Sequence, residues 1–242
     1  MSKAFKRRNN IRFLFAIIFV CSIICMLLFS TPILRVKTIS IEGSEYYSDQ
    51  KIMDQARISV GMHLLQLNKR RSVKEISTLP YIELVQIDRV FPNTLKLTIT
   101  QRKPIGYVPF SGTYLSIDKT GQVIDQSHSQ EVHNLPIIEG LKFDKFVLGE
   151  QLEVENEDII MAVIEITTLI EKYDLLGRGI KIDVGNLNKI HLYINSLDVI
   201  IGEINNLDKK IQWLCEIIEQ YQMGVLDLSN INKGQAIMSP LT

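Results

Sequence analysis

The spacing of apolar residues changes along this chain, and each change predicts an element. Residues 13–29 (FLFAIIFVCSIICMLLF) are seventeen in a row without a charge. At about 1.5 Å of rise per residue they make a helix of about 26 Å, and running on to Leu34 reaches the roughly 30 Å of a bilayer core. A single N-terminal transmembrane helix is expected over 13–34. Beyond it Ile39 and Ile41 alternate with Thr38 and Ser40 and stop at Gly43, a strand pattern. Helical spacing follows in Ile52, Met53 and Ala56 after a cap at Ser48, and again in Val73, Ile76 and Leu79 after a cap at Asn68 and before Pro80. ELVQIDRV and TLKLTITQ, joined by Phe91-Pro92-Asn93, read as a hairpin with Leu95, Leu97 and Ile99 on its buried face. The order β-α-α-β-β predicts a three-stranded sheet covered on one face by two helices.

From residue 105 the pattern is mixed and mostly of strands, with two helices. Tyr114–Ile117 and Val123-Ile124 flank an Asp118-Lys119-Thr120-Gly121 turn. Ile159, Val163, Ile166 and Ile170 form a helical stripe opened by Glu157 and Asp158 and closed by Gly177. Strands are expected at 180–184, 190–194 and 199–203, with Gly185-Asn186 and Asn195-Ser196 in the connections. A last helix carries Leu207, Ile211, Leu214, Ile218 and Tyr221, and two short strands, Val225–Asn230 and Gln235–Met238, end the pattern. The fold class expected is α+β, in segments 1–12 (cytoplasmic tail), 13–34 (span), 35–104 and 105–242.

Charge orients the chain. Lys3, Lys6, Arg7, Arg8 and Arg12 precede the apolar run with no acidic residue, so residues 1–12 are expected in the cytoplasm and everything after Leu34 outside. The run is longer than a secretory signal core, and STPILRVK offers no small-x-small cleavage site, so an uncleaved anchor is expected over a signal peptide. Of 27 basic residues, five lie in that flank, leaving 22 against 27 acidic ones; a mildly acidic body excludes nucleic acid as a partner. Cys21 and Cys25 fall inside the span, so Cys215 has no partner for a disulfide and is expected as a core thiol.

The residues 34–107, with RVKTISIEG, GMHLLQLN and LPYIELVQIDRVFPNTLKLTITQRKPIGY, resemble a POTRA domain of the bacterial cell-division family FtsQ/DivIB. The most specific stretch is Arg89-Val90-Phe91-Pro92-Asn93-Thr94-Leu95 followed by Arg102-Lys103-Pro104-Ile105. Gln101 and Gly106 depart from the usual Glu and Ala. The Asp118–Gly121 turn and Leu135–Gly140 are similar to segments of the family's second domain. The resemblance implies a bitopic, non-enzymatic scaffold of the cell-division complex at the division septum. It would bind FtsL-like and DivIC/FtsB-like partners outside the membrane and link them to septal peptidoglycan synthesis. It also implies that the partner adds a strand at the end of the second domain, at Leu228, Ser229, Asn230, Ala236, Ile237 and Met238.

The residues themselves offer no rival chemistry. His128 and His133 share a polar stretch without further ligands, and His63 and His191 stand alone in apolar and strand contexts, short of the three or four ligands a zinc site assembles. No Gly-x-Ser-x-Gly or His-Glu-x-x-His occurs, and Gly177-Arg178-Gly179 follows a helix where a dinucleotide loop would precede one. No catalytic residue, cofactor or metal is expected. The alternative, a membrane-tethered cell-wall enzyme, requires a constellation assembled from distant residues. Lys69-Arg70-Arg71 is the one basic cluster after the span, and a solvated helix start accounts for it better than lipid or acidic-partner contact does.

Overall fold

The structure, a computed structural model, describes residues 13–23, 26, 32–128, 135–231 and 234–240. Residues 13–23 are helical, with Phe13, Phe15 and Phe19 exposed. Part of the expected span lies outside the described residues, among which no helix is long and apolar enough to cross a membrane. The chain divides into one unit ending at Gln101 and a second beginning at Arg102.

In the first unit β1 (Thr38–Glu42) is followed by α1 (Asp49–Ala56), α2 (Lys69–Ile76), β2 (Ile82–Val90) and β3 (Thr94–Gln101). Ser48 and Asn68 cap the helices as expected, accepting from the N–H groups of Lys51 and Arg71. The sheet order is β1-β3-β2, with β1 parallel and β2 antiparallel to β3. Leu95, Leu97 and Ile99 are buried beneath Ile52 and Ile76 of the two helices. After β1 the chain leaves through Gly43 at φ +83°, where any Cβ would collide with the Ile99 carbonyl. Arg89 of β2 donates to the Leu67 carbonyl at 2.6 Å and so ties the hairpin to the loop before α2.

The second unit contains β4 (Pro104–Phe110), β5 (Thr113–Asp118), β6 (Val123–Ser127), β7 (Ile137–Glu139), α3 (Glu157–Lys172), β8 (Ile180–Asp183), β9 (Ile190–Ile194), β10 (Ser196–Gly202), α4 (Leu207–Ile218), β11 (Met223–Asp227) and β12 (Ile237–Ser239). Its strands form one mixed nine-stranded sheet in the order β12-β11-β10-β9-β8-β7-β4-β5-β6. β7 and β8 are parallel, as are β10 and β11, and each pair is joined by a crossover that carries a helix. Both helices pack into one core with the alternate strand residues Ile182, Leu192, Ile194, Val199 and Ile201.

Several elements differ in detail from the periodicity. On α3 Ile160, not Ile159, is buried, beside Val163, Ile166 and Ile170. That helix stops at Lys172, and a turn intervenes before Gly177. Tyr221 lies past the end of α4, which closes at Ile218, and is 48% exposed, so the stripe ends one turn earlier than the spacing predicts. β10 begins at Ser196 because Asn195 makes the connection alone, at φ +56°.

One buried ion pair anchors the start of the second unit. Asp118, at the end of β5, accepts from Arg102 at 2.7 Å, from the Thr120 N–H and hydroxyl, and from the Gln122 N–H. Burial pushes its carboxyl pKa up, and these hydrogen bonds more than offset it, leaving the group below the usual Asp value. A lowered pKa in the folded state adds stability that is complete above the unfolded value of about 3.9 and is lost as pH falls through the folded one. Asp118→Asn is therefore expected to destabilise the unit by about 3 kcal/mol at neutral pH. Urea midpoints should converge with wild type as pH is taken below about 4, whereas a gap independent of pH would contradict the assignment.

Candidate partner-docking edge

β12 forms one edge of the nine-stranded sheet and β6 the other. β12 has three residues and pairs antiparallel with β11 through Val225↔Ser239, Leu226↔Met238 and Asp227↔Ile237. β11 in turn runs parallel to β10, from Ser196↔Met223 to Ile200↔Asp227. An edge strand leaves one side of its backbone without a strand partner, which is the template that strand addition uses.

The six residues expected at the docking end fall into two groups. Ile237 and Met238 are in β12 itself, with Ile237 54% exposed and Met238 packed against the core. Ala236 precedes the strand and also packs on the core. Leu228, Ser229 and Asn230 are not in a strand, because β11 ends at Asp227. Its carboxylate accepts from the Ser229 N–H (2.8 Å) and hydroxyl (2.6 Å), an Asx-type turn that takes the chain off the sheet. Leu228 is fully buried and its N–H donates to the Ile200 carbonyl at 2.9 Å, so it supports the edge from beneath.

The rest of the molecule offers structural roles for its reactive side chains. Among the described residues no group of three or more His, Cys, Asp or Glu can hold a metal ion. His191 Nδ1 lies 2.7 Å from Asp198 Oδ1 on the sheet face opposite the helices, stacked on Tyr193. His63 is buried and its Nδ1 accepts from the Leu65 N–H, His128 is exposed, and His133 lies outside the described residues. Cys215 is half-buried against the core, and burial pushes its thiol pKa up. Lys69 and Arg71 pair with Asp88 and Glu75 at the surface.

Residues 34–102 match the family model of the FtsQ-type POTRA domain. The chain is 26% identical to the cell division protein DivIB of Clostridium botulinum strain Hall over 93% of its own length and 90% of that protein. It is 23% identical to DivIB of Bacillus subtilis, over 89% and 78% of the two chains. Against FtsQ of an Anaeromyxobacter species the identity is 29%, over 49% of this chain and 40% of that one. Residues 34–102 thus match an FtsQ-type POTRA domain, and over nearly its whole length the chain is similar to DivIB cell-division proteins. The residue with most bearing on β12, and which hydropathy did not single out, is Gly224. It sits at φ +126°, and a Cβ built on it would lie 2.7 Å from the Met238 methyl and 2.8 Å from the Ser239 carbonyl. Only glycine lets β12 lie this close to β11. Gly224→Ala is expected to cost the second unit about 1 to 3 kcal/mol, seen as a lower urea midpoint. An unchanged midpoint would mean that β12 is not held against β11 at this point.

Proposed function

We propose that this protein is a non-enzymatic, single-pass membrane scaffold of the bacterial cell-division complex, with its two folded units outside the membrane. The observation that carries the reading is the C-terminal edge: a three-residue strand ending a nine-stranded sheet, with its first residue, Ile237, exposed. Strand addition by FtsL-like and DivIC/FtsB-like bitopic proteins would take its affinity from the backbone and its specificity from side chains at Ala236, Ile237 and Met238. Leu228, Ser229 and Asn230 would hold the edge in place. The names of the relatives, cell division proteins DivIB and FtsQ, support a division role; its place at the septum and its link to wall synthesis are part of the proposal.

The same reading takes residues 1–12 as a cytoplasmic tail, 13–34 as the anchor, 35–104 as the POTRA domain and 105–242 as the docking domain. Two observations support the anchor. The helical residues 13–23 carry exposed apolar side chains, and five basic residues with no acidic one precede them.

Ile237→Pro tests the docking edge, since it removes one backbone donor from a strand of three residues. Capture of soluble extracytoplasmic segments of the FtsL- and DivIC-type partners is expected to weaken by about tenfold or more. A variant that melts as wild type and still captures them at wild-type affinity would move the docking site elsewhere.

A further inference from the structure

Lys210 on α4 heads the largest fully buried side chains among the described residues, at 0% exposure, and the docking reading makes no use of it. A buried ammonium is costly unless every donor is satisfied. Here Nζ donates to the carbonyls of Ile201 (2.9 Å) and Glu203 (2.7 Å) and to Asn205 Oδ1 (3.2 Å), which uses all three of its hydrogens. Burial pulls its pKa below the usual lysine value, and the charges of Glu203 and Asp227 oppose that pull.

All three acceptors lie at or just beyond the C-terminal end of β10, where β11 finishes and the chain turns toward β12. The Leu228 N–H bonds the Ile200 carbonyl at 2.9 Å. Gly202, at φ +69°, lies so close to the turn that a Cβ on it would be 3.0 Å from the Ser229 Cβ. Ser229 is fixed to Asp227, Asn230 donates to the Ser229 hydroxyl at 3.2 Å, and Leu228 and Ile231 are both fully buried. A continuous set of contacts therefore runs from the Lys210 ammonium through residues 201–205 to the turn at 228–231 and, through Asp227, which holds Ser229 and pairs with Ile237, to β12.

We infer that Lys210 is a positioning residue for the docking edge: by holding the end of β10 it sets the path of the 228–231 turn and so the seat of β12. Its consequence for partner capture rests on the docking reading; its effect on the edge does not. A lysine that merely stabilised the core would loosen the whole unit in proportion to the stability lost. A positioning lysine loosens the edge and leaves the rest of the unit in place.

The test uses the full chain in lipid nanodiscs, with backbone amide exchange as one measurement and capture of the soluble partner segments as the other. Lys210→Met, which keeps the length of the side chain and removes the ammonium, is expected to speed exchange at 228–231 and 237–239 about tenfold and to weaken capture about tenfold, with exchange in α3 unchanged. Lys210→Arg, which retains donors, should recover part of both effects. Ile166→Val, a cavity in the same core beneath α3, should leave the edge and capture at wild type. Exchange at 228–231 that is unchanged, or that rises equally throughout the unit, overturns the inference. Faster exchange at the edge with undiminished capture overturns its consequence for docking. Should Ile237→Pro also capture normally, it is the docking reading that fails, and exchange alone decides the positioning. If Lys210→Met does not fold, Asn205→Ala removes one acceptor only, and a smaller increase confined to the same residues is expected. Its absence counts against the inference.

Discussion

The parallel pairing of β10 with β11 is the constraint on which the C-terminal half of the molecule depends. Two neighbouring parallel strands cannot be joined by a tight turn, so the chain must cross over a face of the sheet, and here the crossover is α4. Leu207, Ile211, Leu214 and Ile218 anchor that helix by burial, at about 1.5 to 3 kcal/mol for each side chain. With β11 placed by the crossover, β12 can only return on its outer side and end the sheet. The edge is short and begins beside an Asx-type turn, a form that limits indiscriminate pairing with other chains.

Charge contributes little at this edge. Residues 102–242 hold 12 basic and 20 acidic side chains, yet within β11 and β12 the one charged residue is Asp227, and its carboxylate already accepts from Ser229. Docking there would rely on backbone hydrogen bonds and on the apolar side chain of Ile237. The buried charges of the unit serve its architecture instead: Asp118 with Arg102 secures the β5–β6 turn, and Lys210 secures the end of β10.

The first unit was legible in the sequence almost residue by residue. Each of its signals is local: Ser48 and Asn68 cap helices, Pro80 follows one, and Leu95, Leu97 and Ile99 alternate on one strand. The second unit was legible as elements but not as an arrangement. Strand order in a nine-stranded mixed sheet depends on contacts between residues far apart in the chain, which periodicity does not report. The turn at Leu228–Asn230 read as strand because VLDLSN alternates, but the Asp227 side chain competes for the backbone and ends β11. Lys210 was invisible for a related reason. A lysine between apolar helix positions reads as solvent-facing, and only the folded loop at 201–205 supplies its acceptors. Gly224 carried no signal in the pattern either, because its smallness is required by a strand that arrives later in the chain.

Under the proposed function a partner chain adds to the sheet at β12. Photo-crosslinking in dividing cells tests it most directly, with a benzophenone amino acid placed in turn at Ile237 and Ser239 on this edge and at Asp125 and Ser127 on the opposite edge, β6. Adducts with small bitopic division proteins are expected from the β12 positions and none from β6. Adducts from β6 alone, with none from Ile237 or Ser239, would contradict it.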